Sequence, residues 1–244
     1  MFFFITILAK IKIIQKIGKI MRNLILDSNN ESSYASLDSG LIKLRRNTFI
    51  LLSVMMVLTM AIAWFTSVFL PEELNTKTMI LGGITAFIAV FISSLRANKP
   101  DALFWSMLLA LGVGACLGTS LSVFIAVNPN AVLNAGVATV SIFGTLSIYT
   151  IISGKDFRKW GAFLLMAVIG LVITSLVNIF FTQSSLISLA TSYIGVLIWS
   201  AFIMYDISAM NKGYNKSYVS IAIGLYLSII NLFQSLLHIF SGSD

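Results

Sequence analysis

The sequence predicts an all-α membrane protein: a seven-transmembrane helix bundle whose last helix is enclosed by the others. Three observations carry this. Seven apolar stretches, about 49–70, 78–95, 103–127, 131–153, 161–181, 186–208 and 217–240, are each long enough to cross a bilayer, since ~20 residues rising ~1.5 Å each span the hydrocarbon. Fifteen of the sixteen Lys and Arg residues fall on one side of these stretches. The seventh stretch carries a polar stripe at helical spacing that lipid cannot satisfy. Composition agrees: 58% of residues are apolar and 10% charged, with a mean hydropathy of +0.95, whereas a water-soluble domain carries about a quarter charged residues.

The net charge of +7 is topological information rather than a nucleic-acid footprint. Eight cations precede the first stretch. Arg96 and Lys99, then Lys155, Arg158 and Lys159, then Lys212 and Lys216 occupy every second loop. The alternate loops hold only Lys77. This positive-inside pattern places the N-terminus in the cytoplasm and the C-terminus outside.

Residues 1–48 are expected to form a cytoplasmic tail ahead of a membrane domain over 49–240. Within it, residues 1–20 are aromatic, isoleucine-rich and basic. They read either as a helix lying in the interface, with Lys12, Lys16 and Lys19 on one face, or as a misassigned start if translation begins at Met21. Residues 26–40, LDSNNESSYASLDSG, read as a flexible segment. No signal peptide is indicated, because the first long apolar run is not followed by a small-residue cleavage pattern.

In the third stretch Ala110, Gly114 and Gly118 recur every four residues, a spacing that lets helix backbones approach closely within a chain or between copies. Cys116 lies mid-span and reads as a packing thiol. One His and one Cys build no zinc cluster, and no GxSxG, HExxH or GxGxxG occurs. No catalytic residue, metal site or cofactor is therefore assigned. His238, near the outer end of the seventh stretch, reads as a side chain reaching for the interface.

Asp206, near the end of the sixth stretch, is the residue of most consequence, because an ionisable group inside a span is costly and is a functional candidate by default. It either reaches the headgroups and pairs with Arg96 or Lys212, or acts within the bundle. On the seventh stretch Ser228, Asn231, Ser235 and His238 share a face that Gly224 extends, with Gln234 beside it. That face is either hydrogen-bond glue between helices or the lining of a narrow polar path, with Asn178 a candidate partner. Asp206, Ser228, Asn231, Arg96 and Asn178 are thus the gating or ion-path candidates. Asp38, Asp101 and Asp156 are the other acids near or between the spans on the cytoplasmic side, too few for an oxygen-rich calcium cage.

From about residue 40 onward the chain resembles the Bax inhibitor family of seven-helix membrane proteins, most nearly its bacterial YccA branch. The resemblance rests on SGLIKLRRNTFILLS, RANKP, FGTLSIYTIISGKDFRKWGAFLLMAVIGL, SLVNIFF, FIMYDIS and NKSYVSIAIGLYLSIINLFQSLL, in order and at matching topology. It implies two alternatives. The first is an inner-membrane protein that associates with the membrane-anchored AAA protease FtsH and restrains it, entering it by its N-terminal tail. The second is a pH-sensitive calcium leak, in which two aspartates on the sixth and seventh helices share a proton. Asp206 matches the first aspartate; at the second position this sequence has Ser228, a departure that favours the protease reading. The lipid bilayer is the one partner common to both.

Overall fold

The computed structural model describes residues 33–213 and 217–242. Seven long helices account for them: α1 (Ser33–Phe69), α2 (Glu72–Leu95), α3 (Ala102–Val127), α4 (Pro129–Ser153), α5 (Gly161–Val177), α6 (Ser185–Asn211) and α7 (Tyr218–Ser241). All seven are long and apolar enough to cross a membrane, α5 together with the short turns on either side of it. The predicted segment 1–20 lies outside the described residues.

Local chemistry fixes the connections. The Asn128 side chain accepts from the backbone N–H of Asn130 and Ala131 at 3.1 and 3.3 Å and starts α4, with Pro129 in its first turn. The helix stops at Gly154 in the left-handed conformation (φ 58°). Asp156 caps a 3-10 turn over Phe157–Trp160 that leads into α5. A π-helical turn, Asn178–Thr182, closes α5, and Ser184 and Ser217 cap α6 and α7.

One boundary differs from the sequence reading. Residues 33–48, assigned to the tail, continue α1 without a break. The reason is visible in Leu41, Leu44 and Thr48, spaced at three and four. Thr48 is buried and Leu44 packs against the core. A Cβ on Gly213, in the turn after α6, would stand 2.9 Å from the Leu41 side chain. The run of charges in LIKLRRNT hides this inward face.

The enclosed seventh helix is as expected. Buried residues make up 89% of its apolar segment, against 22–50% in the other six. It packs on α1, α2, α3, α4 and α6, whereas α5 packs chiefly on α6. Its large buried neighbours include Trp199 and Phe202 of α6, whose rings stack at 5.8 Å. A polar tie reaches the hub from α1: the Thr59 and Tyr226 hydroxyls lie 2.6 Å apart, and Thr59 Oγ1 also reaches the Ala110 carbonyl at 3.2 Å.

The small-residue stripe of α3 serves contacts within the chain. A Cβ on Gly118 would collide with Thr66 Oγ1 and the Ala63 carbonyl, so α1 and α3 touch backbone to backbone there. Cys116 is buried beside it and donates to the Met79 carbonyl at 3.2 Å, the packing role expected of it.

Candidate functional site

Asp206 is 4% exposed and faces α7. Its neighbour there is the backbone of Gly224: a Cβ at that position would lie 3.1 Å from both carboxylate oxygens. One turn further on, Ser228 Oγ donates to the Gly224 carbonyl at 2.8 Å and approaches Asp206 Oδ2 at 3.4 Å. A hydroxyl has one proton, so the shorter bond to the carbonyl dominates and the carboxylate receives the weaker branch. The pair predicted on adjacent helices is therefore in contact.

Asp206 lies inside the bundle against α7 rather than out at the headgroups. Arg96 is not its partner. That guanidinium bonds the Asp101 carboxylate across the α2–α3 turn, with 48% of its side chain exposed, and it holds Asp101 below the usual carboxylate range. Lys212 points to the surface. Adjacent turns are pinned to the bundle at the same end. Ser208 Oγ donates to the Lys155 carbonyl at 3.2 Å and accepts from the Phe157 N–H at 3.1 Å. Ser217 Oγ donates to the Ala97 carbonyl at 2.7 Å. Asp156 accepts from Arg158 Nε at 2.8 Å, from Arg158 Nη2 and from the Arg158 backbone, which keep its carboxyl below the ordinary range.

The stripe continues up α7 as drawn from spacing. Asn231 is fully buried and its Nδ2 donates back to the Leu227 carbonyl at 2.6 Å. Ser235 is buried and His238 half-buried. At this far end the stripe meets a cavity of about 680 Å³ bounded by α3, α5, α6 and α7. Asn178 borders it, but its polar atoms serve the turn between α5 and α6: Nδ2 donates to the Ser184 carbonyl at 3.1 Å, and Oδ1 accepts from Thr182 Oγ1 at 2.7 Å and Ser184 N–H at 2.9 Å. It is a turn clasp rather than a hydrogen-bond partner of the α7 stripe. Sequence reasoning missed the other walls, Ser120 of α3 and Ser188, Thr191 and Ser192 of α6. Small hydroxyls in apolar helices carry no distinctive signal, because most bond their own helix.

Among the described residues no three His, Cys, Asp or Glu side chains gather as a metal cluster. The site is thus one buried carboxylate at a close helix contact, joined by a polar stripe to a cavity that no Asp, Glu, Lys or Arg lines.

A family model described as "Inhibitor of apoptosis-promoting Bax1" matches residues 41–244. The chain belongs to the Bax inhibitor family. It is 33% identical to a membrane protein of Vibrio cholerae, over 81% of this chain and 88% of that one. It is also 33% identical to the Inner membrane protein YbhL of Escherichia coli, over 78% of this chain and 87% of that one. Identity to the Modulator of FtsH protease YccA of Escherichia coli is 27%, over 81% of this chain and 89% of YccA. The resemblance noted from motifs is thus a family relationship along nearly the whole membrane domain. A member of the Bax inhibitor family with seven spanning helices is a multi-pass membrane protein.

Proposed function

We propose that this Bax inhibitor family protein modulates a membrane-anchored AAA protease of the FtsH type. It would lie in the bacterial inner membrane with its N-terminus in the cytoplasm and its C-terminus in the periplasm. The observation that carries the reading is the neutral partner of Asp206. A proton-sharing latch needs two adjacent carboxylates, whose like charge makes one of them hold its proton. Here the atom at that place is Ser228 Oγ, 3.4 Å from Oδ2. YccA, a relative over 81% of this chain, bears the name of an FtsH modulator. The orientation follows from the distribution of Lys and Arg.

The test is crosslinking in native membranes followed by purification of the tagged full chain. Recovery of FtsH supports the reading, and so does a longer half-life for a chain lacking residues 1–32, which keeps α1 whole. A chain that does not recover FtsH, and whose reconstituted form passes calcium with a steep dependence on pH, would sink it in favour of the leak. Reporter fusions at Asp244 that place this end in the cytoplasm would overturn the orientation.

A further inference from the structure

The far cavity is unused by this reading. It exists because α5 leans on α6 and leaves a gap towards α3, so the last turns of α7 look out between them. Its volume of about 680 Å³ lies within the ~300–1,000 Å³ of small-molecule sites. Its mouth is apolar: it is lined by Phe124 of α3, Leu176 of α5, and Ile179 and Phe180 of the π-helical turn that closes α5. Ile179 and Phe180 are also heavily exposed on the outer face of the bundle, where a membrane puts acyl chains. Its inner wall is polar, and no Asp, Glu, Lys or Arg lines any part of it.

The polar wall has a definite hydrogen-bonding character. Ser120, Thr191 and Ser192 each donate back to a carbonyl of their own helix, at 3.0, 2.8 and 2.9 Å. Their protons are used, so they offer only lone pairs. Ser235 is different. It is 3% exposed, it lines the cavity, and its Oγ has no hydrogen-bond partner among the described residues. A buried hydroxyl left in that state costs about 1–3 kcal/mol. The oxygen stands against the facing Gly195 of α6, where an added Cβ would lie 2.7 Å from it, and glycine has no side chain to accept its proton. Gln234 and His238 of α7 line the same wall and add an amide and a ring N–H, so the wall offers both donors and acceptors and carries no carboxylate, ammonium or guanidinium. A ligand hydroxyl is the small group that both accepts and donates, and it matches both needs at once.

We propose that this cavity binds the head of a neutral, hydroxyl-bearing amphiphile of the monoacylglycerol or diacylglycerol class, admitted from the bilayer between α3 and α5. The hydroxyl meets the acceptor oxygens of Thr191 and Ser192, and Ser235 turns from Gly195 to donate to it. The tail leaves past Phe180 into lipid. A lining without Lys or Arg disfavours an anionic headgroup, which would enter a low-dielectric pocket with no ammonium or guanidinium beside it.

The test uses the full chain reconstituted in phospholipid vesicles and a monoacylglycerol carrying a diazirine in its tail. After irradiation, labelled peptides are mapped. Labels are expected on the α3, α5 and α6 residues around the cavity, and unlabelled monoolein is expected to displace the probe. The matched fatty-acid methyl ester, which lacks the hydroxyls, should displace it at least about fivefold less well, the factor for one lost hydrogen bond. Ser235→Ala should weaken displacement by monoolein by about the same factor. If that variant does not fold, Ser192→Ala gives the same reading. Labels spread evenly over lipid-facing helices, equal displacement by alcohol and ester, or unchanged displacement in the folded variant would each overturn the proposal. Loss of labelling as the phosphatidylglycerol fraction rises would assign the cavity to an anionic lipid and overturn the neutral class.

Discussion

The same two helices, α6 and α7, meet at both ends of the polar stripe, and they meet differently. At the Asp206 end a carboxylate lies against the backbone of Gly224, and the neighbouring turns are tied down through Ser208 and Ser217. At the far end Ser235 lines a cavity of about 680 Å³. Residue polarity does not explain the difference, since both ends are built from serine, an amide or a carboxylate. The loops do. The turn that enters α5 bonds Ser208 and closes that end, whereas the turn that leaves α5 is bonded internally through Asn178, and nothing there draws α5 onto α3. Polar residues of this bundle pack against backbone where a connection crosses them and border open space where none does.

The comparison breaks most sharply at Gly224. A Cβ there is already tight at 3.1 Å from both Asp206 oxygens, so Gly224→Val should cost about 3 kcal/mol of stability by overpacking, read as thermal unfolding in detergent. An unchanged Tm would mean that the close contact is loose. Next in size is Ser228→Asp. It puts a second carboxylate within reach of the first, and repulsion should destabilise the variant by about 2 kcal/mol at neutral pH and much less in acid. The variant should therefore lose Tm as pH rises where the natural protein does not, and parallel curves would show that the two positions do not meet in the folded protein.

A smaller effect sharpens the role of the loops. Arg158 holds Asp156 below the ordinary carboxyl range. The folded form thus binds its proton less readily than the unfolded chain. The stabilisation is present above the unfolded value near ~4 and is lost as pH falls through the lower folded value. Asp156→Asn should cost less than about 1 kcal/mol at neutral pH and should flatten the acid limb of Tm against pH. Smallest of all, Ser192→Ala in the cavity wall should stay within about 0.5 kcal/mol, because the space beside it already absorbs a lost oxygen. A large loss there would show that the far end is as tightly packed as the near one.

The spans, their number and the enclosure of α7 were legible in the sequence because they depend on hydropathy and on a period of 3.6, which a single chain displays. The contact of Asp206 with Ser228 was legible for a related reason: both are polar, both lie on helices that must hide them, and few partners exist. Arg96 and Asn178 were misplaced because nearer partners took them. Asp101 lies five residues from Arg96, and Ser184 six from Asn178, and such local bonds form before a distant one can compete. The inner face of residues 41–48 was masked by charge. The cavity was not legible at all, since it is defined by a helix pair that fails to pack.

The position of α7 also constrains how the protein is made. Of the seven described helices it leaves the ribosome after the other six, and it ends with 89% of its apolar segment buried among them. Chains are synthesised from the N-terminus at ~5–20 residues per second, so six helices wait in the bilayer without their hub. During that interval Thr59 has no Tyr226, and the Asp206 carboxylate has no Gly224 to lie against. The nascent bundle must therefore hold a slot open, or be held open by the insertion machinery, until the final helix slides in. A chain that stops before Tyr218 leaves the Asp206 carboxylate facing an empty slot.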